Sequence, residues 1–370
     1  MKTAPNVYLL CGEASGDLHA ANLVAAWKQL NPDISFRAWG GDRLQAEGVQ
    51  IDKHIRELSF MGFWEVFKNL PLIRKQFKTI QNQLLSQKPD LLVLVDYPGF
   101  NLRMAKWAKD HGIRVLYYIS PTVWAWKQKR VYQIQKNVDQ LFCILPFEPA
   151  FYAKFGVSVK YFGHPLLDEI KRYQSRASVA KDSDKPVLAL LPGSRKQELE
   201  RILPIMLQAS KAFEQSHQIV LVCAPHIPLS YYQSFELSPE LVCAQSHTYD
   251  TLQRADMALV TSGTATLETA LFEVPQVVCY KSSGLSIWLA KKIVNIKYIS
   301  LVNLILDKLV VTELIQETCT VEHMTLELKK IAPQTQGREV QLEHYQALKS
   351  LLTLQEAPSH LIAKSMNEYL

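Results

Sequence analysis

From end to end the chain alternates short, continuous apolar runs with longer segments of helical pattern. VYLLC (7–11), DLLVLVD (90–96), RVLYYIS (114–120), QLFCIL (140–145) and VKYFG (159–163) read as strands. Helix-like segments follow most of them, at 18–30, 102–110 and 149–155. Strands that are apolar on both faces and separated by helices predict a parallel sheet covered on both sides. A second series of this kind follows the polar, charged stretch KRYQSRASVAKDSDK (171–185). Its strands are VLALLPG, QIVLVC, MALVTSG, QVVCY and YISLV, and the tail from about Gln334 is helical. The expected class is therefore α/β, with two Rossmann-like doubly wound domains facing across a cleft. They would occupy 1–165 and 186–334, with a linker at 166–185 and a C-terminal helical segment at 335–370.

A chain of 370 residues exceeds one ordinary core, which agrees with two domains. Its 48% hydrophobic and 21% charged residues are those of a soluble globular protein. No run reaches the ~18 apolar residues of a spanning helix. Glu13 and Asp17 interrupt the only apolar stretch near the N-terminus, so no signal peptide is expected. The six cysteines are scattered without a CxxC pair and read as small reduced core residues of a cytoplasmic protein. A net charge of +6 suits an acidic lipid surface or a phosphorylated ligand and does not by itself argue for nucleic acid.

Ligands of doubly wound sheets bind where strands hand over to helices, so the residues after each strand are the ones to weigh. In the second series, LLPGSRKQELE (190–200) is a strand, a turn through Gly193 and a helix opened by Ser194. Backbone N–H groups at that helix start, with the guanidinium of Arg195, suit a diphosphate. An ordinary capped turn explains the segment equally well. ALVTSGTATLETALFEVPQVV (258–278) adds a small-residue loop, Ser262-Gly263-Thr264, and places Glu268 one helical turn later, where a carboxylate can accept from both ribose hydroxyls. The strand end YISLVN (298–303) puts Asn303 at the same mouth. Neither GxGxxG nor a Walker sequence is present, which disfavours hydride transfer and ATP hydrolysis. The triplet Asp182-Ser183-Asp184 precedes a strand and reads as solvated charge, so no metal site is expected.

In the first series, VYLLCGEASGDLHAA (7–21) turns through two glycines into a helix and groups Glu13, Ser15, Asp17 and His19. Asp17 can simply cap that helix. Asp96 follows five apolar residues at the end of LLVLVDYPGFN; a shielded carboxylate there is a candidate general base, and a helix cap is the alternative. FMGFWEVFKNLPLIRKQFK (60–78) carries Phe63, Trp64, Phe67 and Leu70 among Lys68, Arg74 and Lys75. A helix from Pro71 would bury Ile73, Phe77, Ile80 and Leu84 as one stripe. The aromatic group before it is either core or an apolar patch resting on an anionic membrane.

Together GEASGD (12–17), MGFWEV (61–66), SPTVWAWKQKR (120–130), FGHP (162–165), LLPGSR (190–195) and SGTATLE (262–268) resemble the lipid-A-disaccharide synthase family, in the right order from residue 7 to about 317. The resemblance implies an inverting glycosyltransferase of the GT-B fold that uses no metal and no cofactor. Its donor would be UDP-2,3-diacylglucosamine, its acceptor 2,3-diacylglucosamine 1-phosphate (lipid X), and its products the β-1,6-linked tetraacyl disaccharide 1-phosphate and UDP. The first domain would bind the acceptor and face the membrane, and the second would bind the UDP-sugar. The family implies a peripheral enzyme on the cytoplasmic face of the inner membrane, and a possible homodimer whose C-terminal elements cross back or are exchanged. Asp96 stands at the family's proposed general base, and Arg195, Glu268 and Asn303 at its nucleotide positions. Glu13, Ser15 and Asp17 fall on the acceptor side.

That resemblance gives 121–126 a place, as the loop at the end of a strand in the first sheet. Trp124 and Trp126 then either shape an apolar rim near acyl chains, with Lys127, Lys129 and Arg130 near a lipid phosphate, or Trp124 fills the loop's own small core. A UDP-N-acetylglucosamine epimerase, built on the same plan, gains nothing from the 60–78 patch. A nucleic-acid binder would need one continuous basic and aromatic track, which the separate loops do not make.

Overall fold

The computed structural model describes residues 4–58, 70–175, 185–282 and 297–370. It comprises two compact units, Met1–Glu169 with Thr353–Leu370, and Ile170–Leu352.

In the first unit seven strands form one sheet: β1 (Asn6–Cys11), β2 (Ser35–Gly40), β3 (Gln50–His54), β4 (Leu91–Val95), β5 (Val115–Tyr118), β6 (Gln140–Cys143) and β7 (Lys160–Tyr161). All pairings are parallel, in the order β3-β2-β1-β4-β5-β6-β7. Alternate residues of β1 enter opposite layers, both dry. Val7, Leu9 and Cys11 join a core with Leu23, Val24 and Trp27 of helix Ala14–Leu30. Tyr8 and Leu10 join the other, with Ile80 and Leu84. Helix Leu70–Gln87 carries the expected stripe, with Ile80 and Leu84 fully buried and Ile73 and Phe77 packed beside them.

The second unit repeats the plan with β8 (Val187–Leu191), β9 (Gln218–Cys223), β10 (Val242–Gln245), β11 (Ala255–Thr261), β12 (Gln276–Tyr280) and β13 (Thr312–Ile315). Its order is β10-β9-β8-β11-β12-β13, again parallel throughout. Helices Lys196–Ser210 and Val321–Lys330 cover one face through Leu199, Ile202, Leu203, Met206, Met324 and Leu328. Each sheet reverses direction of growth once, between β1 and β4 and between β8 and β11, and a doubly wound sheet offers its ligand site at that reversal.

Two expectations need correction, and the C-terminal helices divide as a segment that crosses back. The run 298–302 is not a strand: Ser300 caps helix Leu301–Leu306, its Oγ accepting from the Asn303 N–H at 3.2 Å. The apolar residues on either side of Ser300 fit either state, because periodicity cannot separate short buried runs. The stretch 166–185 opens with helix Leu166–Gln174, whose Leu166 and Ile170 are buried. Its Glu169 accepts from Asn22 Nδ2 at 3.0 Å, whereas residues 176–184, with the Asp182 and Asp184 pair, lie outside the described residues. The segment 335–370 is divided between the units. Helix Gln336–Leu352 stays in the second, where Gln341 Oε1 accepts from the Gln276 N–H at 2.9 Å. Helix Pro358–Asn367 crosses back to the first, burying Ile362, Ala363 and Met366 while Trp27 Nε1 donates to Asn367 Oδ1 at 3.1 Å.

Candidate active site

In the first unit the site is built at the ends of β1 and β4. Asp96 and Tyr97 leave β4 in successive left-handed conformations, with φ of 46° and 50°, before Pro98 opens helix Pro98–Asp110. Two such residues in a row are strained and persist only where the surroundings fix them. Here the backbone is held from three sides. Asn101 Nδ2 donates to the Asp96 carbonyl at 2.8 Å, Tyr117 Oη donates to the same carbonyl at 2.6 Å, and the Asp96 N–H donates to the Tyr118 carbonyl at 2.9 Å. Burial pushes the Asp96 carboxyl up to about 6, and the Glu13 carboxylate adds to the rise. A group that ionises near neutrality in a tight, desolvated turn is suited to accept a proton. Gly12 is needed beside it, because a Cβ there would lie 2.2 Å from the Tyr97 ring.

Glu13 is half-buried and Ser15 is exposed, both at the start of helix Ala14–Leu30. Asp17 is placed differently from the acceptor-side expectation. Only 3% exposed, it accepts from the N–H groups of Gly41 at 2.6 Å and Arg43 at 3.0 Å. It therefore caps helix Asp42–Ala46, a neighbour rather than its own helix, and its carboxylate is occupied by backbone.

The two tryptophans after β5 part company. Trp124 is half-buried with its ring edge-on to Phe147, centroids 5.0 Å apart, so it belongs to the loop's own small core. Trp126 is exposed, with Lys127 Nζ 4.2 Å and Arg130 Cζ 5.6 Å from its ring centroid. Beneath the loop sits Glu148, which the sequence reading missed. It is 1% exposed and accepts from the N–H groups of Ile144 at 3.2 Å and Leu145 at 2.9 Å. Burial lifts its carboxyl to about 7 against those bonds. An acid wedged between Phe147 and Pro149 was its only trace in the sequence. Of the 60–78 patch, Phe63, Trp64, Phe67 and Lys68 lie outside the described residues; Leu70 begins helix Leu70–Gln87, on which Arg74 and Lys75 are exposed.

In the second unit the corresponding ends are those of β8 and β11, which pair directly, Leu191 beside Val260. Gly193 takes φ 103°, and Ser194 and Arg195 are exposed before helix Lys196–Ser210. This loop already carries an internal anion. Glu198 folds back so that Oε1 lies 3.1 Å from Arg195 Nη1 and Oε2 accepts a long bond, 3.4 Å, from the Ser194 N–H. A Cβ on Gly193 would come within 2.6 Å of that Oε2. The S-R-x-x-E spacing held this signal, a carboxylate three residues into a helix reaching back to its entry. At β11, Ser262 Oγ donates to the Ile299 carbonyl at 2.8 Å, and Gly263 and Thr264 are exposed. Glu268, half-buried on helix Thr264–Leu271, accepts from Tyr249 Oη at 2.9 Å.

Asn303 does not join them. It is fully buried, and its amide is saturated. Nδ2 donates to the Val311 carbonyl at 2.9 Å and to Glu313 Oε1 at 2.8 Å, while Oδ1 accepts from the N–H groups of Val310 and Val311. With both donors and both acceptor sites engaged, the side chain supports the loop before β13 and has nothing left for a nucleotide. Among the described residues no three His, Cys, Asp or Glu side chains are placed to hold a metal ion, and no helix is long and apolar enough to cross a membrane.

A family model described as lipid-A-disaccharide synthetase matches residues 7–365. The chain belongs to this family. A lipid-A-disaccharide synthase from Myxococcus xanthus is 39% identical over 344 residues, covering 90% of this chain and 89% of its own. One from Legionella pneumophila is 36% identical over 373 residues, covering 98% and 97%. Solved structures agree on the fold alone. A UDP-GlcNAc 2-epimerase from Neisseria meningitidis gives a TM-score of 0.63 at 12% identity over 98% of this chain and 100% of its own. The calicheamicin glycosyltransferase CalG4 gives 0.60 at 13% over 100% and 99%. The fold is GT-B, and as a lipid-A-disaccharide synthase family member the chain is a UDP-sugar glycosyltransferase of lipid A biosynthesis.

Proposed function

We propose that the chain transfers 2,3-diacylglucosamine from its UDP derivative to the 6-hydroxyl of lipid X. Asp96 takes the hydroxyl proton as that oxygen forms its bond to the donor's anomeric carbon. The bond from that carbon to the diphosphate oxygen breaks on the opposite face, and its electron pair leaves with UDP, inverting the configuration. Arg195 and the N–H groups after Gly193 and Gly263 meet the charge developing on the diphosphate, and Glu268 accepts from the ribose hydroxyls. The reading is carried by Asp96, a carboxylate whose proton affinity is raised by burial in a strained, fully braced turn. The exposed cations Arg74 and Lys75 support attachment to the anionic cytoplasmic face of the inner membrane. In a homodimer with exchanged C-terminal elements, the contacts of helix Pro358–Asn367 would be made in trans.

The test is direct. The purified chain is incubated in detergent with UDP-2,3-diacylglucosamine, lipid X and a chelator, and UDP and lipid products are followed by mass spectrometry. The tetraacyl disaccharide 1-phosphate is the expected product. UDP release without it refutes the acceptor, and no UDP release refutes the donor.

A further inference from the structure

The loop after β5 holds a charge arrangement that the transfer reaction leaves unexplained. Lys127, Lys129 and Arg130 bring three cations within four residues, and none forms an ion pair with a carboxylate among the described residues. Two of them gather on a single exposed ring, Lys127 Nζ at 4.2 Å and Arg130 Cζ at 5.6 Å from the Trp126 centroid. Partial desolvation, and after it repulsion from Arg130, lowers the Lys127 ammonium pKa. The backbone adds to the cost, since Lys127 adopts φ 56°, a left-handed conformation uncommon for a lysine. Strain and unmatched charge held together mark a place prepared for an anion.

Its position says which anion. β5 lies next to β4, with Tyr118 beside Val95, so the Trp126 loop and Asp96 leave neighbouring parallel strands at the same carboxyl end of one sheet. The link between them is short. Tyr117 Oη donates to the Asp96 carbonyl, and Arg130 is close enough to Tyr117 to act on its phenol electrostatically. A glucosamine 1-phosphate carries its phosphate on C1 and its reacting 6-hydroxyl on the carbon attached to C5, and C1 and C5 both flank the ring oxygen. It therefore needs a cation site at the same end of the sheet as the base, and the Trp126 loop leaves the strand next to the one that carries Asp96.

We propose that Trp126, Lys127 and Arg130 form the subsite that reads the phosphate monoester of the acceptor. The indole is an apolar platform under the sugar's reducing end, and the ammonium and guanidinium are the phosphate's ligands. The inference rests on the acceptor assigned above and adds how the chain tells a phosphorylated acceptor from its dephosphorylated form. A monoester brings about −1.5 to −2 charges at neutral pH, enough to quench both cations. A phosphodiester headgroup of a membrane lipid shares part of that chemistry with one charge fewer, and the experiment separates the two.

Short-chain 2,3-diacylglucosamine 1-phosphate and the same compound without phosphate are titrated calorimetrically into the full chain. The proteins compared are wild type, K127Q, R130Q and the charge-conserving K127R. Steady-state kinetics on both acceptors and co-sedimentation with phosphatidylglycerol vesicles run in parallel. Wild type should prefer the phosphorylated compound, and each glutamine variant should lose about 10-fold or more of that preference, as expected for losing one charge-assisted bond. The loss should appear in KM for the acceptor, with kcat and donor KM held and K127R retaining most of the preference. Vesicle binding should stay within about twofold. Unchanged acceptor binding in both glutamine variants overturns the subsite. So does a loss confined to vesicle binding, which assigns the cations to headgroups instead. Failure of the wild type to make disaccharide, with phosphate preference intact in the calorimeter, would count against the transferase reading and leave the phosphate subsite standing.

Discussion

Replacing Asp96 with asparagine separates the chemistry from the fold. Asparagine keeps the volume and is among the few residues that tolerate the φ of 46° at this position, so the turn survives; alanine would add backbone strain. Without a proton acceptor at the acceptor hydroxyl, turnover should fall by at least ~100-fold with UDP affinity unchanged. The wild-type pH profile should show an acid limb in kcat/KM near 6, where Asp96 becomes protonated, and the residual activity of D96N should lack it.

The same substitution should stabilise the protein, and the sign is fixed by the direction of the shift. Folding lifts the Asp96 pKa from an ordinary 3.8 to about 6, so the folded state disfavours the charge. Below 3.8 the group is neutral in both states and costs nothing. As pH rises through about 6 the penalty grows to its full size, at most about 3 kcal/mol at 1.36 kcal/mol per unit. D96N removes it, so the gain in urea resistance should be small at pH 4, about 0.5 kcal/mol, and largest at pH 8. Turnover within a few-fold of wild type would refute the base. An equal gain at both pH values would refute burial of charge as its cause.

Arg195→Gln should weaken UDP binding by about 10- to 100-fold, the effect of losing one charge-assisted bond to a diphosphate. Glu198→Gln should act oppositely, tightening UDP by about 2- to 5-fold at low salt because the internal carboxylate no longer competes for Arg195; weaker binding would show that Glu198 instead holds the arginine in place. Glu268→Gln should cost about 10-fold for UDP and much less for 2′-deoxy-UDP, measured by calorimetry. Asn303→Ala should lower stability by at least ~2 kcal/mol in urea, since it orphans the N–H groups of Val310 and Val311; weaker UDP binding at unchanged stability would return it to the nucleotide site.

The strands legible in the sequence are those with two dry faces. LLVLV and VLALL sit inside their sheets, and every residue is apolar because each is covered from above and below. The strands outside the expectation are β3, β10 and β13, which are sheet edges, and β2 beside an edge. QIDKH and TELI carry side chains that meet solvent, so their pattern resembles a loop. In β2, Arg37 breaks the apolar run, yet it is answered across the sheet by Asp52 of β3, a pairing no local window can see. The candidate site divides the same way. Asp96, Arg195 and Glu268 were visible because each follows a strong strand at a fixed offset. Glu148 and Glu198 act through folding back onto backbone N–H groups or Arg195, and the role of Asp17 was hidden because its partners lie 24 to 27 residues away.

The two units place different kinds of group at equivalent strand ends. The first unit's Asp96 is desolvated, conformationally strained and held by three backbone-directed bonds, with a second carboxylate, Glu13, raising its proton affinity further. Desolvation and Glu13 make the charged form worse and the proton-bearing form better, while the bonds to the backbone fix the turn, and a base needs both at the moment of transfer. The second unit's groups are exposed. Arg195 is matched by a neighbouring carboxylate that can let go, and Gly193 and Gly263 take backbone angles open to a close-lying phosphate. Those features favour capture of an anion and do little for a proton. Substitutions at the end of β4 should therefore act on kcat with UDP affinity held, and those at the ends of β8 and β11 on the affinity for UDP as well as on kcat. A variant of Arg195 that lost turnover at saturating donor while holding UDP as tightly as before would break that division, and would place the arginine's work on the charge of the departing diphosphate alone.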